Sequence, residues 1–99
     1  MALIVSYSSQ KLMASCTQLK AMNKAFTSPE VRKALPRRIK ELESATYRQD
    51  VLDGLGKWHP LTGRGELVYA AHLGKNWRIV AQFDTRGDGV LVVAVEDYH

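Results

Sequence analysis

The hydrophobic period of this chain changes halfway along. Up to about Leu55 apolar residues recur at every third or fourth position, and from Glu66 onward they alternate with polar ones. A helix buries one stripe at a period near 3.6, and a half-buried strand buries every second residue. A chain that runs from the first pattern into the second reads as helices followed by a sheet, an α+β arrangement.

The local signals fill in this frame. Ala2 to Tyr7 reads as a short strand with β-branched Ile4 and Val5 at its centre. Ser8 or Ser9 then caps a helix running to about Met22, with Leu12, Cys16 and Leu19 on one face. Ser28-Pro29-Glu30 is a helix start, with serine as cap, proline at the first helical position and glutamate in the first turn. Val31, Leu35, Ile39 and Leu42 form the apolar face of that helix, and Pro36 is expected to kink or split it. Arg48 to Leu55 reads as a further helical turn ended by Gly54 and Gly56.

Three strands are expected after that, Glu66 to Leu73, Asn76 to Phe83 and Val90 to Glu96. Gly74-Lys75 suits a two-residue hairpin loop, and Gly87-Asp88-Gly89 a second turn. The expected fold is thus an antiparallel twisted sheet with two helices from the N-terminal half packed on one face. On the middle strand Trp77, Ile79, Ala81 and Phe83 alternate toward the helices. Arg78, Val80 and Gln82 take the other face.

Composition bounds the function. Ninety-nine residues make one domain, 1–99, and a 45% hydrophobic fraction is ordinary for a globular chain. The net charge of +4 is uneven: residues 1–49 carry +6 and residues 50–99 carry −2. A basic half suits a polyanion or an acidic protein partner, and equally a solvated helix face. Cys16 is the single cysteine, which excludes an internal disulfide, and no histidine accompanies it in the sequence to activate a thiolate. The apolar run Met1 to Ser6 is too short for a signal peptide and no stretch reaches the roughly 20 apolar residues of a membrane span, so a cytoplasmic protein is expected.

Cys16, His59, His72 and His99 are scattered without metal-ligand spacing, and no phosphate-binding glycine motif is present, so no cofactor is expected. Two features carry chemistry. Arg78 places a guanidinium on a rigid strand, where it either lies exposed or clamps an anion. The segment Glu96-Asp97-Tyr98-His99 follows a strong strand directly. It offers an aromatic ring for a nucleobase and an imidazole that titrates near neutrality. The alternative for that segment is a frayed end. His59 precedes the loop Thr62-Gly63-Arg64-Gly65, and His72 lies within a strand with no role assigned.

Three segments together resemble a known family: Trp58-His59-Pro60-Leu61-Thr62-Gly63, Gly74-Lys75-Asn76-Trp77-Arg78-Ile79 and Asp97-Tyr98-His99. In this order and spacing they look like the HigB branch of the RelE-type toxins of bacterial type II toxin–antitoxin systems. The likeness extends more loosely to Arg37-Arg38-Ile39-Lys40-Glu41-Leu42. It implies a compact microbial-ribonuclease-like fold and cleavage of mRNA in the ribosomal A site. It also implies neutralisation by a small helix-turn-helix, HigA-like antitoxin, with operator DNA met only through that antitoxin and no membrane involved. By the same resemblance Arg78 stabilises the scissile phosphate and His99 transfers protons. Asp97 and Tyr98 orient the site or contact the base, and His59 is the histidine of the HPLxG segment. Arg37, Arg38, Lys40, Lys57, Arg64 and Lys75 are the cations expected to hold RNA or ribosome.

One position departs from the pattern. Thr62 stands where close relatives often carry lysine, and Arg64, Lys57 and Lys75 are the candidates to replace that cation. The departure leaves a second reading, a catalytically weak homologue that binds ribosome or antitoxin without cutting. A general RNA-binding domain is the third.

Overall fold

The computed structural model describes residues 2–97. The elements follow in the order β1 (Ile4–Tyr7), α1 (Gln10–Thr17), α2 (Leu19–Ala25), α3 (Pro29–Ser44), α4 (Arg48–Leu52), β2 (His59–Pro60), β3 (Val68–His72), β4 (Trp77–Phe83) and β5 (Gly89–Asp97). The strands form one sheet in the order β1-β5-β4-β3-β2. Among the described residues no helix is long and apolar enough to cross a membrane.

The helical half keeps its expected starts and changes its interior. Ser9 caps α1 by accepting the Leu12 N–H at 3.0 Å, and Ser28 caps α3 by accepting the Val31 N–H at 3.5 Å. The single helix expected up to Met22 is two, because Gln18 is extended at φ −114° and ψ 123°. Just before it, Ser15 and Thr17 turn their hydroxyls back onto the Lys11 and Met13 carbonyls at 3.0 and 2.7 Å, an alternative bonding pattern that bends helices. The break resets the helical phase. Cys16 stays in the core and Met22 joins it, while Leu19, expected on the same face, is 74% exposed.

α3 is one unbroken helix despite Pro36. An interior proline costs about 3 kcal/mol. Val31 and Leu35 before it, and Ile39 and Leu42 after it, are all buried. At roughly 1.5–3 kcal/mol for each buried aliphatic side chain, these four outweigh the loss.

The sheet is mixed, not antiparallel throughout. β1 runs parallel to β5, with Ile4 beside Gly89 and Tyr7 beside Val92, while every other pair is antiparallel. Sequence spacing speaks for neighbouring hairpins and says nothing of a strand that joins across the whole chain. The β3–β4 loop spans the four residues 73–76 instead of two, and the Leu73 N–H bonds the Trp77 carbonyl across it at 2.8 Å. β2 was not expected. Two residues give no period, and Pro60 is tolerated because β2 is an edge strand.

The helices cover one sheet face, where Ala71, Leu73, Ile79, Ala81, Phe83, Val90 and Val92 meet Val31, Leu35, Ile39 and Leu42. This is the face that the alternation of β4 assigns to the core. Among the described residues the other face carries no helix. Val68, Ala70 and Val80 form a small apolar patch there, flanked by Leu61 and Val93.

Candidate active site

The uncovered face of the sheet collects charge beside that patch. β3 and β4 are in register so that His72 lies across from Arg78, and β4 and β5 so that Arg78 lies across from Glu96. Directly paired residues of adjacent strands project to the same side. His59 on β2 pairs with Ala70, and its ring meets that of His72 at a centroid distance of 5.4 Å and a tilt of 31°. Four strands thus set out the row His59, His72, Arg78, Glu96 on rigid backbone.

Glu96 is the hub of the row. Arg78 donates to its Oε2 from Nε at 2.9 Å and from Nη2 at 2.7 Å. Arg64 reaches the same carboxylate from the loop after β2, with Nη2 at 3.1 Å from Oε1 and Nη1 at 3.4 Å from Oε2. Arg64 lies between Gly63 at φ +85° and Gly65 at φ +117°. These left-handed backbone conformations suit glycine and fold the loop back over the sheet. The Arg64 hydrogen bonds, followed by those of Arg78, hold the Glu96 carboxyl below the usual carboxylate range against partial desolvation. The same carboxylate raises Arg64 further. One carboxylate and two guanidiniums leave a net positive, donor-rich surface suited to an anion.

Glu96 faces this way because of a bulge. Ala81 pairs with Val92 and Val80 with Ala94, so Val93 is an extra residue in β5. The extra residue flips the alternation beyond it. Val92 faces the helices, Val95 again packs toward them, and Glu96 emerges on the uncovered face. Asp97, paired with Trp77, falls on the helix side.

The expected site residues are therefore only partly gathered. Arg78, His59 and Arg64 share the uncovered face, together with His72 and Glu96, to which the sequence reading gave no role. Arg37 and Lys40 are exposed on α3, in the layer on the opposite side of the sheet. Arg38 belongs to that layer too and is held at 3.2 Å by Glu41, whose Oε1 also accepts the Trp58 indole N–H at 3.0 Å. Lys57 is exposed at φ 53°, and its carbonyl oxygen lies 3.4 Å from His59 Nδ1. Lys75 sits in the β3–β4 loop, where its backbone N–H donates to Glu30 at 3.1 Å. Tyr98 and His99 lie outside the described residues. Among the described residues no group of three or more histidine, cysteine or acidic side chains is placed to hold a metal ion.

Solved structures match the fold over the whole chain. The YoeB dimer from Staphylococcus aureus aligns with a TM-score of 0.64 and 18% identity, covering 100% of this chain and 99% of that one. A YoeB–YefM complex from the same organism aligns at 0.62 with the same identity and coverage. A YoeB/ParE toxin from Agrobacterium tumefaciens aligns at 0.51 with 19% identity, covering 100% of both chains. No family model and no curated protein matches the chain. The shared property is the fold alone, which in this chain is α+β with a five-stranded sheet and helices on one side.

Proposed function

We propose that this chain is a RelE-superfamily toxin of the HigB type, a single domain over residues 1–99, that cleaves mRNA on the ribosome and is neutralised by a cognate helix-turn-helix antitoxin. The observation that carries the reading is the row of His59, His72, Arg78 and Glu96, with Arg64, on the sheet face that no helix covers. The three sequence segments quoted above and the fold shared with toxins of toxin–antitoxin systems support it.

The chemistry needs few groups. RNA brings its own nucleophile, the 2′-hydroxyl, which attacks the adjacent phosphorus and expels the 5′-oxygen, leaving a 2′,3′-cyclic phosphate. Arg78 holds the non-bridging oxygens as charge builds on them, the role in which preorganised donors contribute most. His59 and His99 act as the proton-transfer pair, taking the 2′-hydroxyl proton and returning one to the leaving oxygen. Tyr98 contacts the base and Asp97 orients the terminal segment. These groups supply each step without a metal ion. The ribosome provides the in-line alignment that a small protein lacks. Arg37, Arg38 and Lys40 on α3, with Lys57 and Lys75, contact ribosomal RNA, and that affinity falls as salt rises. The protein acts in the cytoplasm, where its ribosomal target is.

Induction in a bacterial host followed by mapping of mRNA 5′ ends tests the reading. The wild type should arrest growth and cut within translated codons, and Arg78→Ala and His99→Ala should each relieve both effects at equal expression. Uncut mRNA under the wild type refutes the nuclease. Full toxicity of both variants refutes the assigned site.

A further inference from the structure

The residues 57–60 hold the His59 imidazole in a defined setting. Lys57 is left-handed at φ 53°, a conformation uncommon for any residue but glycine. Trp58 is buried, and its indole N–H donates to Glu41 Oε1 at 3.0 Å. Pro60 disfavours helical backbone in the residue before it, which keeps His59 extended in β2. Within this turn the Lys57 carbonyl oxygen lies 3.4 Å from His59 Nδ1. A carbonyl oxygen only accepts, so Nδ1 carries the proton of that contact. The bond made by one ring nitrogen decides which tautomer the ring adopts, and in the neutral ring the lone pair then lies on Nε2. A second constraint comes from β3, where the His72 ring lies 5.4 Å from that of His59, centroid to centroid, at a tilt of 31°. The torsion that turns an imidazole about its bond to Cβ is broad by itself, and a ring packed this closely narrows it.

We infer that His59 works through Nε2, with Lys57 as the positioning residue that fixes the tautomer through its backbone and His72 as the one that fixes the ring plane. The inference rests on the ribonuclease reading and names the reacting atom of its base. Nε2 takes the proton of the 2′-hydroxyl as that oxygen bonds to phosphorus and the bond from phosphorus to the 5′-oxygen breaks. His99 returns a proton to the 5′-oxygen. The Nδ1–H stays on the Lys57 carbonyl oxygen, which accepts more strongly from the imidazolium than from the neutral ring. A backbone carbonyl thus does here what the carboxylate does for the histidine of a serine-protease triad.

The test pairs a spectrum with a rate. Long-range proton–nitrogen correlation of the imidazoles in the purified full chain, with the His59 signals assigned by their loss in His59→Ala, should show neutral His59 as the Nδ1–H tautomer. The Nε2–H tautomer overturns the inference. Single-turnover cleavage of a defined mRNA on programmed ribosomes gives the rates, with thermal melting of each variant as a folding control. Lys57→Gly and Lys57→Val both remove the cation, but only glycine keeps the left-handed backbone without strain. Lys57→Val should cut about tenfold more slowly than Lys57→Gly, a part of the roughly hundredfold or more that a placed general base contributes. Equal rates overturn the role of the turn. His72→Ala should lose about tenfold through looser placement of His59, and His72→Phe, which keeps a flat ring there, should recover most of it. Equal losses for alanine and phenylalanine overturn the role of the His72 ring. Equal rates for the two Lys57 variants and wild-type rates for both His72 variants, beside an inactive His59→Ala, overturn the whole inference and leave the nuclease reading standing. Uncut mRNA with the wild type overturns both.

Discussion

The link from α3 to the segment carrying His59 offers a sharp test of the packing. Glu41 accepts the Trp58 indole N–H at 3.0 Å through Oε1 and pairs with Arg38 at 3.2 Å through Oε2. Trp58 is buried, and the Arg38 side chain is only 16% exposed. Glu41→Ala removes both contacts at once. An orphaned buried donor costs about 1–3 kcal/mol, and Arg38 loses its counter-charge in a partly desolvated place. Together the loss should be about 2–3 kcal/mol, or a fall of roughly 8–24 °C in Tm for a chain of this size. Glu41→Gln keeps a carbonyl oxygen for the indole and gives up only the charge, so it should cost about 1 kcal/mol. Urea unfolding of the two variants and the wild type gives the three stabilities. Equal losses for Ala and Gln would show that the indole bond contributes nothing. If both variants lie within about 0.5 kcal/mol of the wild type, the contact does not hold the segment at all.

Two further perturbations follow from local geometry. Gly74 has φ +104°, and a Cβ there would overlap Glu30 Oε2 and sit 2.8 Å from Glu30 Cβ. Gly74→Ala should therefore cost about 2–4 kcal/mol, read as a lower denaturation midpoint, and an unchanged midpoint would mean that the loop tolerates another path. Burial, then the nearby Cys16 and Glu43, push the Tyr7 hydroxyl from 10.0 up to about 12, and burial pushes the Cys16 thiol from 9.0 up to about 11. The unfolded chain releases these protons at lower pH than the folded one, so stability should fall as pH rises from 9.0 toward 12. Tyr7→Phe should flatten that slope in urea unfolding at about pH 8 and about pH 10.5, at no cost near neutrality, since among the described residues the buried Tyr7 hydroxyl has no hydrogen-bond partner.

What the sequence makes legible here is what local rules decide. The caps at Ser9 and Ser28, the buried row from Val31 to Leu42 and the two faces of β4 all follow from spacing alone. The site was harder to read, and β5 shows why. Counting in twos from the buried Val90 and Val92 assigns Glu96 to the core side and Asp97 to the outside. The extra residue Val93 reverses both assignments, and no local pattern announces a bulge. Glu96 therefore carries no signal of its role in the sequence, although Arg78, its partner, does. His72 is hard to place for a related reason: its neighbour His59 sits on a two-residue strand that carries no period. The basic residues of α3 drew attention by number, but a helix that buries its apolar face on the sheet must point its charges away from the opposite face. Leu19 misled for want of one long-range fact, the break at Gln18.

The parallel pair of β1 and β5 bears on how this protein reaches its folded state. Ser6 donates its hydroxyl to the Val90 carbonyl oxygen, 84 positions away along the chain. Contacts of such range are entropically the most expensive to close and form late in folding. The β3–β4 hairpin can form early, which presents Arg78 before its partner strand arrives. Docking of β5 then joins Glu96 to Arg78 on one side and β1 to the sheet on the other. Substitutions in β1 should accordingly speed unfolding and leave the folding rate almost untouched, while those in the hairpin slow folding. The charged row on β2 to β5 rests on pairings between strands close in sequence, so it can form before β1 docks on β5 and completes the sheet.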